Sequence, residues 1–240
     1  MQEQNPQNKY FTKRVGRNVF ATRPRISVII AVDDSVDLVR ETLESVIGQK
    51  HREHEIIVVN DGSPETAQLE RELKTSFENI IYIKQRRAGI SAARNTAIEN
   101  ARGDLIAFVN SGHLWQPDFL TTQLVFIERH NYDAVYCDAV LFGTHSAYRR
   151  TFMESSPSEG EVNFESLLHG RCNVLTAGAL VRRQALLDVG MFQESAEAFA
   201  EFALWLRLAQ RSGGIGYQQK QLLKYRANAD YRLGDDLTRL

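Results

Sequence analysis

The hydrophobic pattern alternates between two kinds of run. Short, near-continuous apolar stretches rich in β-branched residues recur at residues 25–32 (RISVIIAV), 55–60 (EIIVVN), 80–84 (IIYIK) and 105–109 (LIAFV). Polar turns follow them, and runs of this kind read as strands covered on both faces, as in a parallel sheet. Between them lie segments whose apolar positions recur three and four apart. These predict a helix over 38–48, with Leu38, Val39, Leu43, Val46 and Ile47 on one face and Gly48 at its end, then helices over 66–77 and 90–101. Strand and helix thus alternate about four times through short connections, which predicts an α/β domain with a mostly parallel central sheet flanked by helices.

The second half changes character. A helix is predicted over 119–130 with Pro117 in its first turn, and a strand over 134–141 (AVYCDAVL). The polar segment 143–161 is too long for a simple connection, which marks it as functional or disordered. Beyond it come a short helix at 164–168, a strand at 174–182 interrupted by small residues, and a helix at 183–189 stopped by Gly190. A helix at 197–209 carries an apolar stripe of Phe199, Phe202, Trp205, Leu206 and Leu208, and a strand at 215–225 follows. Residues 1–24 read as a polar arm, 25–226 as one domain and 227–240 as a polar tail.

Charge and cysteine content exclude several classes. With 29 basic and 30 acidic residues the formal net charge is −1, so nothing draws the chain to nucleic acid. Cys137 and Cys172 have neither metal-site nor disulfide spacing, and reduced thiols in a cytoplasmic protein are expected. No apolar run approaches the ~18 residues of a membrane span, and the polar N-terminus does not resemble a signal peptide. Peripheral attachment at the inner face of a membrane stays open.

Ligands of parallel sheets bind just past the carboxyl ends of the strands. That places the turn Asn110-Ser111-Gly112-His113 where chemistry is expected, while Asp61-Gly62-Ser63-Pro64 reads as a strong turn signal. No G-x-G-x-x-G follows the first strand, which argues against a dinucleotide-dependent dehydrogenase.

The pieces SVII-V, IIVVNDGS, GISAARNTAI, GDLIAFVNSGHLWQPDFL and FALWLRLA, in this order over residues 25–226, resemble the family 2 glycosyltransferases, whose domain is a Rossmann-like glycosyltransferase A fold. The resemblance implies transfer of a sugar from a nucleotide-diphosphate sugar, UDP-type, to a carbohydrate or lipid-linked acceptor, with inversion at the anomeric carbon. Asp61 matches the residue that bonds the donor base, and Gly62 permits close approach. The alternative is a turn Asp capping the next helix. Arg94, paired with Asn95, matches an Arg-Asn pair and suits a diphosphate or the packing of the nucleotide loop, against a local ion pair on a helix surface. Asn110 is placed to bond a ribose, and Asp33 stands at a nucleotide-contacting place after the first strand. Glu201 occupies the place of the catalytic base. Asp138 faces an acceptor pocket or is a strand-end turn residue. Trp205 reads as core, and Trp115 as packing under the turn in preference to stacking on a sugar.

The departures from the family pattern cluster at the chemistry. A magnesium or manganese ion is expected for the family, yet the Asp-x-Asp-Asp turn that would hold it reads Asn110-Ser111-Gly112-His113, so no metal ligand is assigned. His113 is a lone turn histidine, and Asn228 stands where a histidine is usual. Arg86 and Arg87 offer two guanidiniums in place of a metal. The expected activity is therefore a transfer with weak or no metal dependence. The alternative is a non-catalytic or engineered relative that keeps the fold, and with it nucleotide binding, but has lost turnover.

Overall fold

The apolar runs become the middle of one sheet. The computed structural model describes residues 11–15, 23–32, 35–143, 150–154 and 156–227. Its strands are β1 (Phe11–Val15), β2 (Ile26–Val32), β3 (His54–Asn60), β4 (Ile80–Lys84), β5 (Leu105–Asn110), β6 (Leu114–Trp115), β7 (Ala134–Phe142), β8 (Ala179–Arg182) and β9 (Ile215–Arg226). They lie in the order β1-β4-β3-β2-β5-β8-β7-β9-β6. The four strands β4, β3, β2 and β5 are mutually parallel, and so are β7 and β9. β8 runs antiparallel between β5 and β7, and β1 and β6 are antiparallel edges. β1 lies within the stretch that the hydrophobic pattern reads as a polar arm.

Helices α1 (Val36–Ile47), α2 (Thr66–Ser76), α3 (Ile90–Asn100), α4 (Phe119–His130), α5 (Phe164–Leu168), α6 (Arg183–Asp188) and α7 (Ala200–Ala209) cover the sheet. Every residue of β2 is buried, and its alternation separates two cores. Val28 and Ile30 face Val39 and Leu43 of α1, Leu69 and Leu73 of α2 and Leu124 of α4. Ile29 and Ala31 face Ala93 and Ala97 of α3, Leu186 of α6 and Leu204 and Leu208 of α7. Each large apolar side chain so buried stabilises the fold by roughly 1.5–3 kcal/mol before entropy is counted. Among the described residues no helix is long and apolar enough to cross a membrane.

Local chemistry sets the element ends. Ser35 caps α1 by accepting the Asp37 N–H at 3.3 Å, and Glu65 accepts the Val36 N–H at 2.8 Å. α4 spans the expected 119–130, but Asp118 is its N-cap, so Pro117 precedes the cap and lies outside the first turn. Two later elements start further along the chain than expected. α7 begins at Ala200, because Glu194–Phe199 form a 3₁₀ segment with Ala196 outside helical geometry. The expected strand at 174–182 is reduced to β8, since Thr176–Gly178 form a 3₁₀ turn. Long-range bonds hold that turn: Trp115 Nε1 donates to the Ala177 carbonyl and Gln123 Nε2 to the Gly178 carbonyl, both at 2.9 Å.

Gly103, which leads into β5, is pressed against β2. Its N–H donates to Ser27 Oγ at 2.9 Å, and Ser27 donates to Glu55 at 2.6 Å. A Cβ at Gly103 would lie 2.6 Å from the Ser27 nitrogen and 2.8 Å from the Ile26 carbonyl carbon. Backbone on the receiving side cannot swing away. Gly103→Ala is expected to lower unfolding free energy by about 2 kcal/mol or more, read as a reduced urea midpoint at constant m-value.

Candidate active site

Because β2, β3, β4 and β5 are parallel, their carboxyl ends share one edge. The turns after Asn60, Lys84 and Asn110 stand along it in a row. Beside this edge lies a cavity of about 370 Å³ whose lining includes Asn110, Asn173, Thr176, Glu201, Phe202 and Tyr225.

Arg94 is the hub. The side chain is 1% exposed, although its position on α3 permits a surface reading. Its Nη1 donates to Glu201 Oε1 at 2.6 Å and its Nη2 to Asn110 Oδ1 at 3.0 Å, while its guanidinium carbon sits 5.0 Å from the Phe192 ring centre. The helix-surface ion pair considered for Arg94 is thereby corrected to a pair between a buried guanidinium and a half-exposed carboxylate 107 residues away in the chain. The next residue, Asn95, clamps the same region: it donates to the Phe192 carbonyl at 2.8 Å and accepts the Phe192 N–H at 3.0 Å. Glu201 lines the cavity with 44% of its side chain exposed. Burial works to raise its carboxyl, but the Arg94 charge and a bond from the Thr176 hydroxyl outweigh this and hold it below the usual carboxylate range. It is an ionised acceptor at neutral pH.

Asp61 is 2% exposed, and its carboxylate is filled from within the chain. It accepts Gln85 Nε2 at 2.7 Å and the Ala88 and Gly89 N–H groups at 2.8 Å each. Capping of the next turn falls to other residues: Asn60 Oδ1 accepts the Ser63 N–H and Ser63 Oγ accepts the Glu65 N–H. Gly62, at φ +75°, does permit a close approach, but the approaching group is Arg87, whose Cβ lies 3.1 Å from where a side chain at Gly62 would begin. Asp61 and Gly62 thus shape the loop that ends at α3. Arg86 and Arg87 are exposed on it.

The turn after β5 does not fit a divalent cation. Asn110 Oδ1 is taken by Arg94, the Gly112 carbonyl accepts Arg226 Nε at 3.1 Å, and His113 Nδ1 accepts the Arg226 N–H at 3.1 Å. Hard cations want several free oxygen ligands, and no carboxylate stands in the turn. Among the described residues no group of three His, Cys, Asp or Glu is placed to hold a metal ion. His113 is buried, stacked on Tyr225 at 4.1 Å, and pushed down to about 4 by burial and then by the Arg226 charge.

Asp138 is a correction. It lies within β7 at a register shift against β9, not at the strand's end, and accepts the Ala139 and Met153 N–H groups at 2.7 and 3.2 Å. It is 6% exposed, does not line the cavity, and burial raises its carboxyl. Its visible work is to tie residues 150–154 to the sheet. Trp115 packs as expected, stacked on Phe119 at 4.1 Å. Trp205 is 3% exposed and core-facing, but its indole N–H also donates to Thr176 Oγ1 at 3.1 Å. Both cysteines are free and buried. Asp33 and Asn228 lie outside the described residues.

The family model described as glycosyl transferase family 2 matches residues 27–190. The chain belongs to that family. This member is 29% identical over 215 residues to the Escherichia coli UDP-Glc:alpha-D-GlcNAc-diphosphoundecaprenol beta-1,3-glucosyltransferase WfaP, covering 85% of this chain and 78% of that one. It is also 29% identical over 216 residues to an uncharacterized glycosyltransferase of Rickettsia bellii, covering 86% of this chain but 29% of that one. The chain therefore spans less than a third of the Rickettsia bellii protein's length. In fold it is similar to the Staphylococcus aureus TarS fragment 1–349 solved with UDP, at TM-score 0.68, 20% identity, 85% of this chain and 61% of that one. It is likewise similar to the mannosyltransferase PcManGT of Pyrobaculum calidifontis solved with GDP-Man and Mn²⁺, at TM-score 0.67, 17% identity, 88% of this chain and 59% of that one. These neighbours establish the glycosyltransferase A fold.

Thr176 and Asn173 line the cavity of this family 2 domain without having been singled out by spacing or residue type. The available signal for Thr176 was the small-residue interruption at TAG facing a helix that carries Glu201 and Trp205 one turn apart.

The neutral His113 generates a prediction. A group whose folded pKa lies below its unfolded value of 6.5 leaves the unfolded chain binding more protons between the two. Its contribution is complete above pH 6.5 and is lost as pH falls toward about 4. In urea titrations, wild type is expected to lose about 2 kcal/mol more than His113→Gln between pH 7 and pH 4.5.

Proposed function

We propose that this domain transfers a sugar from a nucleotide-diphosphate sugar, UDP-type, to a carbohydrate or lipid-linked acceptor, with inversion and with weak or no dependence on a divalent metal. The observation that carries the reading is the ionised Glu201 carboxylate, which lines the cavity beside Asn110 at the carboxyl edge of the parallel strands. In this reading Glu201 takes the proton of an acceptor hydroxyl as that oxygen attacks the anomeric carbon, and the nucleoside diphosphate leaves from the opposite face. Glutamate is one methylene longer than the aspartate of the family pattern. Its double anchoring by Arg94 and Thr176 offsets that freedom. Charge on the leaving diphosphate is met by Arg86 and Arg87 on the exposed loop, and no step runs through a metal, in keeping with the donor set of the Asn110–His113 turn.

The donor class is supported by relatives: TarS has been solved with UDP and with UDP-GlcNAc, and the name of WfaP carries UDP-Glc and a diphosphoundecaprenol-linked acceptor. A lipid-linked acceptor would bring the domain to a membrane surface, at its cytoplasmic face.

Release of UDP from a panel of UDP-sugars, with Mn²⁺ and with EDTA, is the direct test. Turnover is expected to change less than about threefold between the two conditions. Glu201→Gln is expected to lower turnover by ~10²–10⁴-fold while calorimetric UDP affinity stays within about twofold. Normal turnover by this variant would remove Glu201 as base. Absence of UDP and GDP binding together with absence of turnover would favour the non-catalytic alternative.

A further inference from the structure

Glu201 receives two donors that differ in kind. The Arg94 guanidinium holds Oε1, and the Thr176 hydroxyl holds Oε2. A threonine hydroxyl has one proton to give and two lone pairs to offer. At Thr176 one lone pair is occupied, because the Trp205 indole N–H points at Oγ1 from 3.1 Å and an indole can only donate. The hydroxyl proton must therefore go elsewhere, and the Glu201 carboxylate, which can only accept when ionised, receives it. The polarity of the chain Trp205 to Thr176 to Glu201 is fixed by chemistry and does not depend on where a hydrogen is drawn.

The arrangement is rigid on both sides. Glu201 and Trp205 stand one turn apart on α7, so they bracket the same hydroxyl from one helix face. Thr176 is 3% exposed and sits in the 3₁₀ turn whose carbonyls are held by Trp115 and Gln123. Each carboxylate oxygen of Glu201 keeps a further lone pair, so neither donor prevents it from accepting a substrate proton.

Resting on the reading of Glu201 as base, we infer that Thr176 is a positioning residue of the transfer: its one-way donation, enforced by Trp205, selects a single orientation of the Glu201 carboxylate at the cavity. The residue matters because a glutamate has three rotatable side-chain bonds, and a misplacement of about 1 Å at a reacting group can cost ~10²-fold in rate.

Three variants test this: Thr176→Val, which keeps the shape and removes the hydroxyl, Thr176→Ser, which keeps the hydroxyl, and Trp205→Phe, which frees the hydroxyl to rotate. The first readout is the titration of Glu201 in the full chain by carbon NMR with ¹³C-labelled glutamate, its signal assigned by its loss in Glu201→Gln. Removing a donor to the charged form moves the midpoint upward. Thr176→Val is expected to raise it by about one pH unit, Trp205→Phe by less, and Thr176→Ser by little. The second readout is hydrolysis of UDP-glucose and UDP-GlcNAc against pH. With Thr176→Val the acid limb moves to higher pH by the same amount and kcat falls about tenfold, while KM stays within about twofold. An unchanged Glu201 midpoint and acid limb in a folded Thr176→Val protein would overturn the inference. Full turnover by Glu201→Gln would instead overturn the assignment of the base, and the NMR shift would still decide whether Thr176 governs Glu201.

Discussion

A guanidinium with almost no access to water must find its counter-charge inside the protein, and that requirement organises this domain. Arg94 is delivered by α3, from the first half of the chain, and its partner Glu201 by α7, from the second. Removing a charge from water costs several kcal/mol unless a partner and hydrogen bonds compensate it. Asn110, at the tip of β5, and the face of Phe192 complete the surroundings. One side chain thus forces the end of the parallel sheet, α3 and the helix bearing the carboxylate into a single arrangement. Asn95, one residue on, repeats the constraint through backbone bonds to Phe192.

What could be read from the chain alone follows from how each element is buried. β2, β3 and β5 were legible because burial on both faces leaves little but apolar residues in them. α1 was legible from its apolar spacing and from Gly48 at its end. β1, an edge strand with one partner, needs no continuous apolar run and gave no such signal. The interruption in 174–182 was visible as small residues, but its 3₁₀ form depends on Trp115 and Gln123, which reach it from other elements. The start of α7 was misplaced because the apolar stripe extends through Phe199 into residues that adopt 3₁₀ geometry.

The site was legible in its membership more than in its wiring. Arg94, Asn110 and Glu201 do converge, but residue type could not say that they bond one another. Asp61 looks from sequence like a group free to meet a ligand, whereas its carboxylate already accepts the Gln85 side chain and two N–H groups of the following loop. Asp138 stands inside the expected strand, and its use in a register shift and in holding Met153 depends on β9 and on residues 150–154, which AVYCDAVL does not reveal. In each case the missing information is a contact between residues far apart in the chain, which no local pattern encodes.

The division of the Arg94 pair across the chain has a consequence for where this protein can be cut. The family match closes at residue 190, eleven positions short of Glu201. A truncation there would retain the buried cation and discard its anion, together with the Phe192 clamp and the indole that orders Thr176. The recognisable segment is therefore smaller than the cooperative one. The portion that folds as a unit must reach at least through α7, and the border drawn by resemblance runs through the middle of a single electrostatic cell.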